Sequence, residues 1–165
     1  MLGNLASWCR ILGIDSSCFK GDSDSQLIQE AEQQNRIVIT RDSELAKRCG
    51  TGGAENRTGC GKPDAGNGVR CVLVRGGTLE EQLAQILKET GAEVSFPEKT
   101  RCASCNGELE GVPKESVKED VETETFAHTE KFWRCRECRK VFWEGGHWKN
   151  IRRIYGDAKR IAAQQ

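Results

Sequence analysis

The amino-acid sequence predicts an α/β fold: a small parallel sheet with its helices, followed by a short cysteine-rich unit. Three observations predict it. Arg36–Thr40 and Val69–Arg75 are apolar on consecutive residues, the pattern of strands buried on both faces in a parallel sheet. Segments of helical periodicity alternate with them. Beyond Pro97 the composition changes, and Cys-x2-Cys pairs begin at Cys102. The 165 residues suffice for one ordinary domain, or one with a small appendage. Apolar residues make up 36% and charged residues 30%, so the core is modest.

The elements follow in order. Leu2, Leu5, Trp8, Cys9 and Leu12 recur at helical spacing, and Gly13 stops that helix. Ile14–Phe19 is a strand candidate. Asp22-Ser23-Asp24 offers caps for a second helix with Leu27, Ile28 and Ala31 on one face. After the strand at 36–40, Glu44–Cys49 forms a short helix. Residues 50–68 hold seven glycines and read as a surface loop. Gly61-Lys62 invites a phosphate-loop reading, which fails because Asn56 and Pro63 stand where that motif needs Gly and Ser or Thr. Thr78 and Glu81 make a capping box for a helix through Leu83 and Leu87 that stops at Gly91. The last helix runs from about His147 into Ala163.

Lys plus Arg and Asp plus Glu each number 25, which excludes a uniformly basic coat or an acidic tail. The charge is uneven, however. Residues 1–98 are net −3, residues 99–130 net −4 and residues 131–165 net +7. The basic C-terminal third suggests a polyanion partner or a solvated face. No run of ~18 apolar residues predicts a membrane helix, and Met1–Arg10 lacks the pattern of a secretory signal. Nine cysteines in such a chain point to metal or thiolate chemistry in a reducing intracellular compartment, cytoplasm or nucleus.

Cys102-x2-Cys105 and Cys135-x2-Cys138 stand 29 residues apart. Each pair can occupy a knuckle turn, and together they can place four thiolates about 2.3 Å from one Zn²⁺. Four thiolates fill the shell, so the site is structural, with a formal charge of −2. Arg101, Arg134, Arg136, Arg139 and Lys140 can offset that charge, and Phe132, Trp133, Phe142 and Trp143 can cover the unit. Cys9, Cys18, Cys49, Cys60 and Cys71 show no pairing pattern and read as small hydrophobes or exposed thiols.

Asp42 lies just beyond the carboxyl end of a buried strand, where open parallel sheets bind ligands. With Asp24 and Glu44 it can form a hard-oxygen site for Mg²⁺ or Mn²⁺, which would activate water. The competing reading makes Asp24 an N-cap and leaves Asp42 and Glu44 as the opening of a helix. Trp143-Glu144-Gly145-Gly146-His147-Trp148 joins the cysteine unit to the last helix. Its Trp residues can stack on bases or pack the unit. His147 can contact phosphate, act as an acid or satisfy a buried carbonyl. Lys149, Arg152 and Arg153 fall within one turn, as a phosphate-facing stripe or a solvated face.

LGNLASWCRILGID, SDSQLIQEAEQQNRIVITRDSELAKR, RCASCNGEL, FWRCRECRKVFWEGGHW and the trailing basic helix, in this order, resemble the Mut7-C ribonuclease domain family. The resemblance covers nearly the whole chain apart from residues 50–68. It implies a PIN-like (Rossmann-like) domain over residues 1–97, a zinc ribbon over 98–147 and a basic helix over 148–165. It further implies RNA cleavage by water activated on Mg²⁺ or Mn²⁺. Asp42 and Asp24 match acidic positions, Cys102, Cys105, Cys135 and Cys138 match the ribbon ligands, and Arg41 or the basic helix would hold the RNA backbone. The family's first strand ends in an Asp ahead of the helix at Leu2. Neither lies within these 165 residues, so a truncated sheet and a weakened metal site are expected. Gly76-Gly77 stand where the family tends to be polar or acidic. Two further readings are a catalytically inactive module that binds RNA or protein within a longer Mut-7-like exonuclease chain, and a zinc-only adaptor.

Overall fold

The computed structural model describes residues 2–50 and 68–164. It is a mixed α/β structure with two small sheets, one parallel and one antiparallel. The elements are α1 (Gly3–Ile11), α2 (Asp24–Gln33), β1 (Val38–Thr40), α3 (Ser43–Gly50), β2 (Cys71–Leu73), α4 (Leu79–Thr90), β3 (Leu109–Val112), α5 (Thr123–His128), β4 (Phe132–Cys135), β5 (Val141–Trp143) and α6 (Trp148–Gln164), with a 3-10 turn at Lys114–Val117. The predicted glycine-rich loop, Cys60 and the Gly61-Lys62 pair lie outside the described residues, except at the loop's ends.

The chain divides into two compact units. The first holds Cys18–Ala92, Leu2 and the chain from Ala158. Its centre is the parallel pair β1–β2, with Val38 opposite Cys71 and Thr40 opposite Leu73. Ser23 caps α2 by accepting the Gln26 N–H, which frees that helix to turn Leu27, Ile28 and Ala31 inward. There they meet Val38, Leu45, Cys49 and Val69. The capping box forms: Thr78 Oγ1 accepts the Glu81 N–H, and the Glu81 carboxylate accepts the Thr78 N–H at 2.9 Å. Gly91 ends α4 at φ 66°, left-handed geometry that costs a residue without Cβ little. Gln85 of α4 continues the bonding of β2: its amide donates to the Leu73 carbonyl at 2.8 Å and accepts the Arg75 N–H at 3.0 Å. A side chain thereby satisfies backbone groups at a strand edge.

The second unit holds Gly3–Ser17 and Glu93–Asp157. Its sheet runs β3-β4-β5, antiparallel, with Phe132 opposite Val112 on one side and Trp143 on the other. Phe132 and Val117 are buried. The interval between the cysteine pairs holds β3, the 3-10 turn, α5 and the start of β4. Arg134 fastens this interval, donating to the Asp120 carboxylate at 2.7 Å and the Ser116 carbonyl at 2.9 Å. The strand expected at Ile14–Phe19 is absent. Ser16 gives its N–H to the Asn106 side chain and its carbonyl to the Arg10 guanidinium, so it has no backbone groups left for a ladder.

Candidate metal centre and the carboxylates at the end of β1

The two Cys-x2-Cys segments fold into the same turn. In the first, the Cys102 carbonyl accepts the Asn106 N–H at 2.8 Å and the Cys102 N–H donates to the Gly107 carbonyl at 2.9 Å. In the second, the Cys135 carbonyl accepts the Arg139 N–H at 3.1 Å and the Cys135 N–H donates to Lys140 at 2.9 Å. The residue after each second cysteine is left-handed, Asn106 at φ 73° and Arg139 at φ 63°. Such a turn aims two thiols to one side. Gly107 is required by space, since a Cβ there would lie 2.9 Å from the Cys135 sulfur and 2.6 Å from Glu137 Cγ.

The knuckles interleave their sulfurs. Cys102 Sγ lies 3.6 Å from Cys138 Sγ, and Cys105 Sγ lies 3.4 Å from Cys135 Sγ. All four fall within 4.8 Å of one another. A tetrahedral ion with Zn–S bonds of ~2.3 Å needs sulfurs ~3.8 Å apart, so the set fits zinc. All-sulfur donors favour a soft or borderline ion over Mg²⁺. The four cysteines also pair buried with exposed: Cys102 and Cys135 are buried, Cys105 and Cys138 exposed.

The four thiols divide accordingly. Burial pushes Cys102 up to about 12, against N–H groups of Cys105 and Ser104 that favour its thiolate. Burial also raises Cys135. The Gly107 N–H holds Cys105 down at about 7. Binding a metal must therefore expel protons from the buried pair, and the backbone amides stabilise the thiolates that result. The nearby basic side chains have other partners. Arg136 pairs with Glu108 and Glu110, and Arg139 with Glu110. Lys140 donates to Ser104 Oγ and Arg101 to the Asn106 carbonyl, which brace the first knuckle.

The residue that sequence reading missed is Arg10. It is buried, 6% exposed. Its guanidinium donates to the carbonyls of Ala103 at 2.9 Å, Ser104 at 3.2 Å and Ser16 at 2.6 Å. Ser7 Oγ also donates to the Ala103 carbonyl, and Asn106 binds Asp15 and the Ser16 N–H. The metal knuckle is thus anchored to α1 and the segment after it. No local signal announces this, because the partners of Arg10 in the knuckle are 93 and 94 residues away.

Trp148 packs: its ring stacks on Phe96 with centroids 5.0 Å apart, and its indole N–H donates to the Trp143 carbonyl. His147 is exposed, so the buried-carbonyl role does not hold.

The predicted catalytic carboxylates stand as follows. Asp42 Oδ1 accepts the N–H groups of Glu44 at 2.8 Å and Leu45 at 3.2 Å and so caps α3. Asp24 pairs with Arg48 at 2.7 Å, and Arg48 also donates to Ser25. Glu44 pairs with Lys47 at 2.7 Å. Among the described residues, Asp24, Asp42 and Glu44 are not drawn into one cluster of metal-ligand reach; the four cysteines are. Of the expected phosphate contacts, Arg41 donates to the Gly76 carbonyl after β2 at 3.1 Å. Arg152 pairs with Glu144, and Arg153 with Asp157. Lys149 is exposed on the same helix.

No helix among the described residues is long and apolar enough to cross a membrane. No curated protein and no solved structure matches the chain. The sequence pattern of the Mut7-C RNAse domain matches residues 1–155, a span that takes in both cysteine knuckles, Asp42 and the start of α6. The chain therefore belongs to the Mut7-C RNAse domain family.

Proposed function

We propose that the chain is a metal-dependent ribonuclease domain, with a PIN-like α/β unit that hydrolyses RNA phosphodiesters and a zinc ribbon that is structural. The family match over residues 1–155 carries this reading. Asp42 would be the principal carboxylate for Mg²⁺ or Mn²⁺, with Asp24 and Glu44 as further ligands. A bound divalent ion would supply activated water and neutralise phosphodiester charge. Asp42 is suited to a ligand role because its Oδ1 is held by two backbone N–H groups, which orients the exposed carboxylate at the carboxyl end of β1. Arg41, Lys149, Arg152 and Arg153 would bind the RNA backbone.

The separation of the three carboxylates favours a second reading, a non-catalytic module that binds RNA or a protein partner. As arranged, Asp24 and Glu44 would have to leave Arg48 and Lys47 to join Asp42 on one ion. The discriminating experiment is cleavage of end-labelled RNA by zinc-loaded protein with Mn²⁺, comparing the chain with Asp42→Asn. Asparagine keeps the helix cap and removes the charge. Cleavage lost in Asp42→Asn supports the nuclease. RNA binding without cleavage in either protein overturns it in favour of the binding module.

A further inference from the structure

Outside the metal centre, the structure brings together two cysteines that the sequence leaves unrelated. Cys49, in the last turn of α3, is 2% exposed within the core cluster of the first unit. Cys71, the first residue of β2, packs against that same cluster and is half-buried. Of the groups around it, Cys71 bears most on the Cys49 thiol and lowers its pKa. The other described cysteines outside the metal centre differ. Cys9 is buried in the other unit with its thiol pushed up to about 11 by burial, and Cys18 is exposed.

We propose that Cys49 and Cys71 are a dithiol modification site, which small-molecule disulfides oxidise to an intramolecular Cys49–Cys71 bond. Access sets the order of events. Cys71 is the less buried of the two residues, so its thiolate attacks the reagent disulfide, forms a mixed disulfide and releases one thiolate. Cys49 then attacks Cys71 Sγ and displaces the second. Two protein thiols are oxidised and one reagent disulfide is reduced to two thiols, which take up the two protons. Cys49 is suited to the resolving role. The neighbouring Cys71 lowers its pKa most, and Arg48 adds to this against burial and Asp24. The bond would tie the end of α3 to the strand that pairs with β1. It would close the chain between residues 49 and 71 into a loop and restrict the unfolded state. This site is independent of whether the chain cleaves RNA.

The test treats zinc-loaded protein with oxidised glutathione, then maps thiols and linked peptides by mass spectrometry while following zinc content. The expected product has lost two hydrogens, carries no glutathione, links Cys49 to Cys71 and keeps its zinc. It melts roughly 5–10 °C higher, and a reductant reverses the shift. Cys49→Ser should trap glutathione on Cys71. Cys71→Ser should show neither the link nor an adduct on Cys49. The second variant alters the less buried sulfur and keeps the test valid if the first fails to fold. A persistent glutathione adduct on Cys71 in the unaltered protein overturns the proposal. So does linkage of either cysteine to another, or oxidation confined to the metal ligands.

Discussion

Asp42 carries two demands on one carboxylate. It caps α3 through Oδ1, and it sits where an open parallel sheet presents ligands. The two roles separate by substitution. Asp42→Ala loses the cap and should destabilise the fold by about 1 kcal/mol in urea unfolding, whereas Asp42→Asn should cost only a few tenths. Equal losses in the two variants would show that charge, not capping, sets the stability. Arg10 is a sharper case. Its removal strands three carbonyl groups that now accept from one buried guanidinium. Arg10→Ala should cost roughly 2–4 kcal/mol and weaken zinc binding in competition with a chelator. Arg10→Lys should rescue only part of this, because an ammonium cannot reproduce the planar fork. Unchanged zinc affinity in Arg10→Ala would overturn the anchoring role.

At the scale of elements, local chemistry was the reliable guide. The Thr78–Glu81 box and the glycine after α4 are contacts over three or four residues, so the sequence alone specifies them. Thr78→Ala should therefore cost about 1 kcal/mol, read as a lower melting temperature with the structure otherwise kept. An unchanged melting temperature would mean that packing of Leu83, Ala84 and Ile86 holds α4 without its cap. Ile14–Phe19 failed as a strand for the opposite reason. Its apolar residues carry no information about partners, and the backbone of Ser16 is taken by Arg10 and Asn106. The 3-10 turn and α5 between the knuckles went unread because their sequence is mostly polar. They are fixed instead by pairs such as Arg134–Asp120 and Lys114–Glu130.

For the molecule as a whole, metal at the four cysteines and protons would be the levers. The buried side chains of the second unit include Cys102 and Cys135 beside Phe132, Val117, Leu12 and Cys9, so an ion bound to those cysteines would be part of its folding free energy. Chelation should raise hydrogen exchange across residues 93–157 and also across α1, which Arg10 and Ser7 tie to the first knuckle. Protection of α1 that survives chelation would contradict that tie. Alkaline pH should destabilise the fold through Cys9, whose thiol burial raises from 9.0 to about 11. A raised thiol pKa means that the unfolded state loses its proton first. The contribution is therefore full below pH 9 and lost as pH climbs from about 9 to 11, on the order of 2–3 kcal/mol. Cys9→Ala should flatten that slope in unfolding measured across the same window.

The division between sequence and tertiary structure follows from range. The sequence by itself determined the knuckles, the caps, the alternation of β1, α3, β2 and α4, and membership in the family, because each is written in short spacings or in an ordered set of motifs. Only the tertiary structure decided that Arg10 braces the first knuckle, that Cys49 meets Cys71, and that Asp24 and Glu44 pair with Arg48 and Lys47 rather than gather around Asp42. These meetings depend on which side chains burial forces together. A buried guanidinium gains from three carbonyls only after the chain has brought them within 3.2 Å, and a carboxylate at the surface takes the nearest cation it can reach.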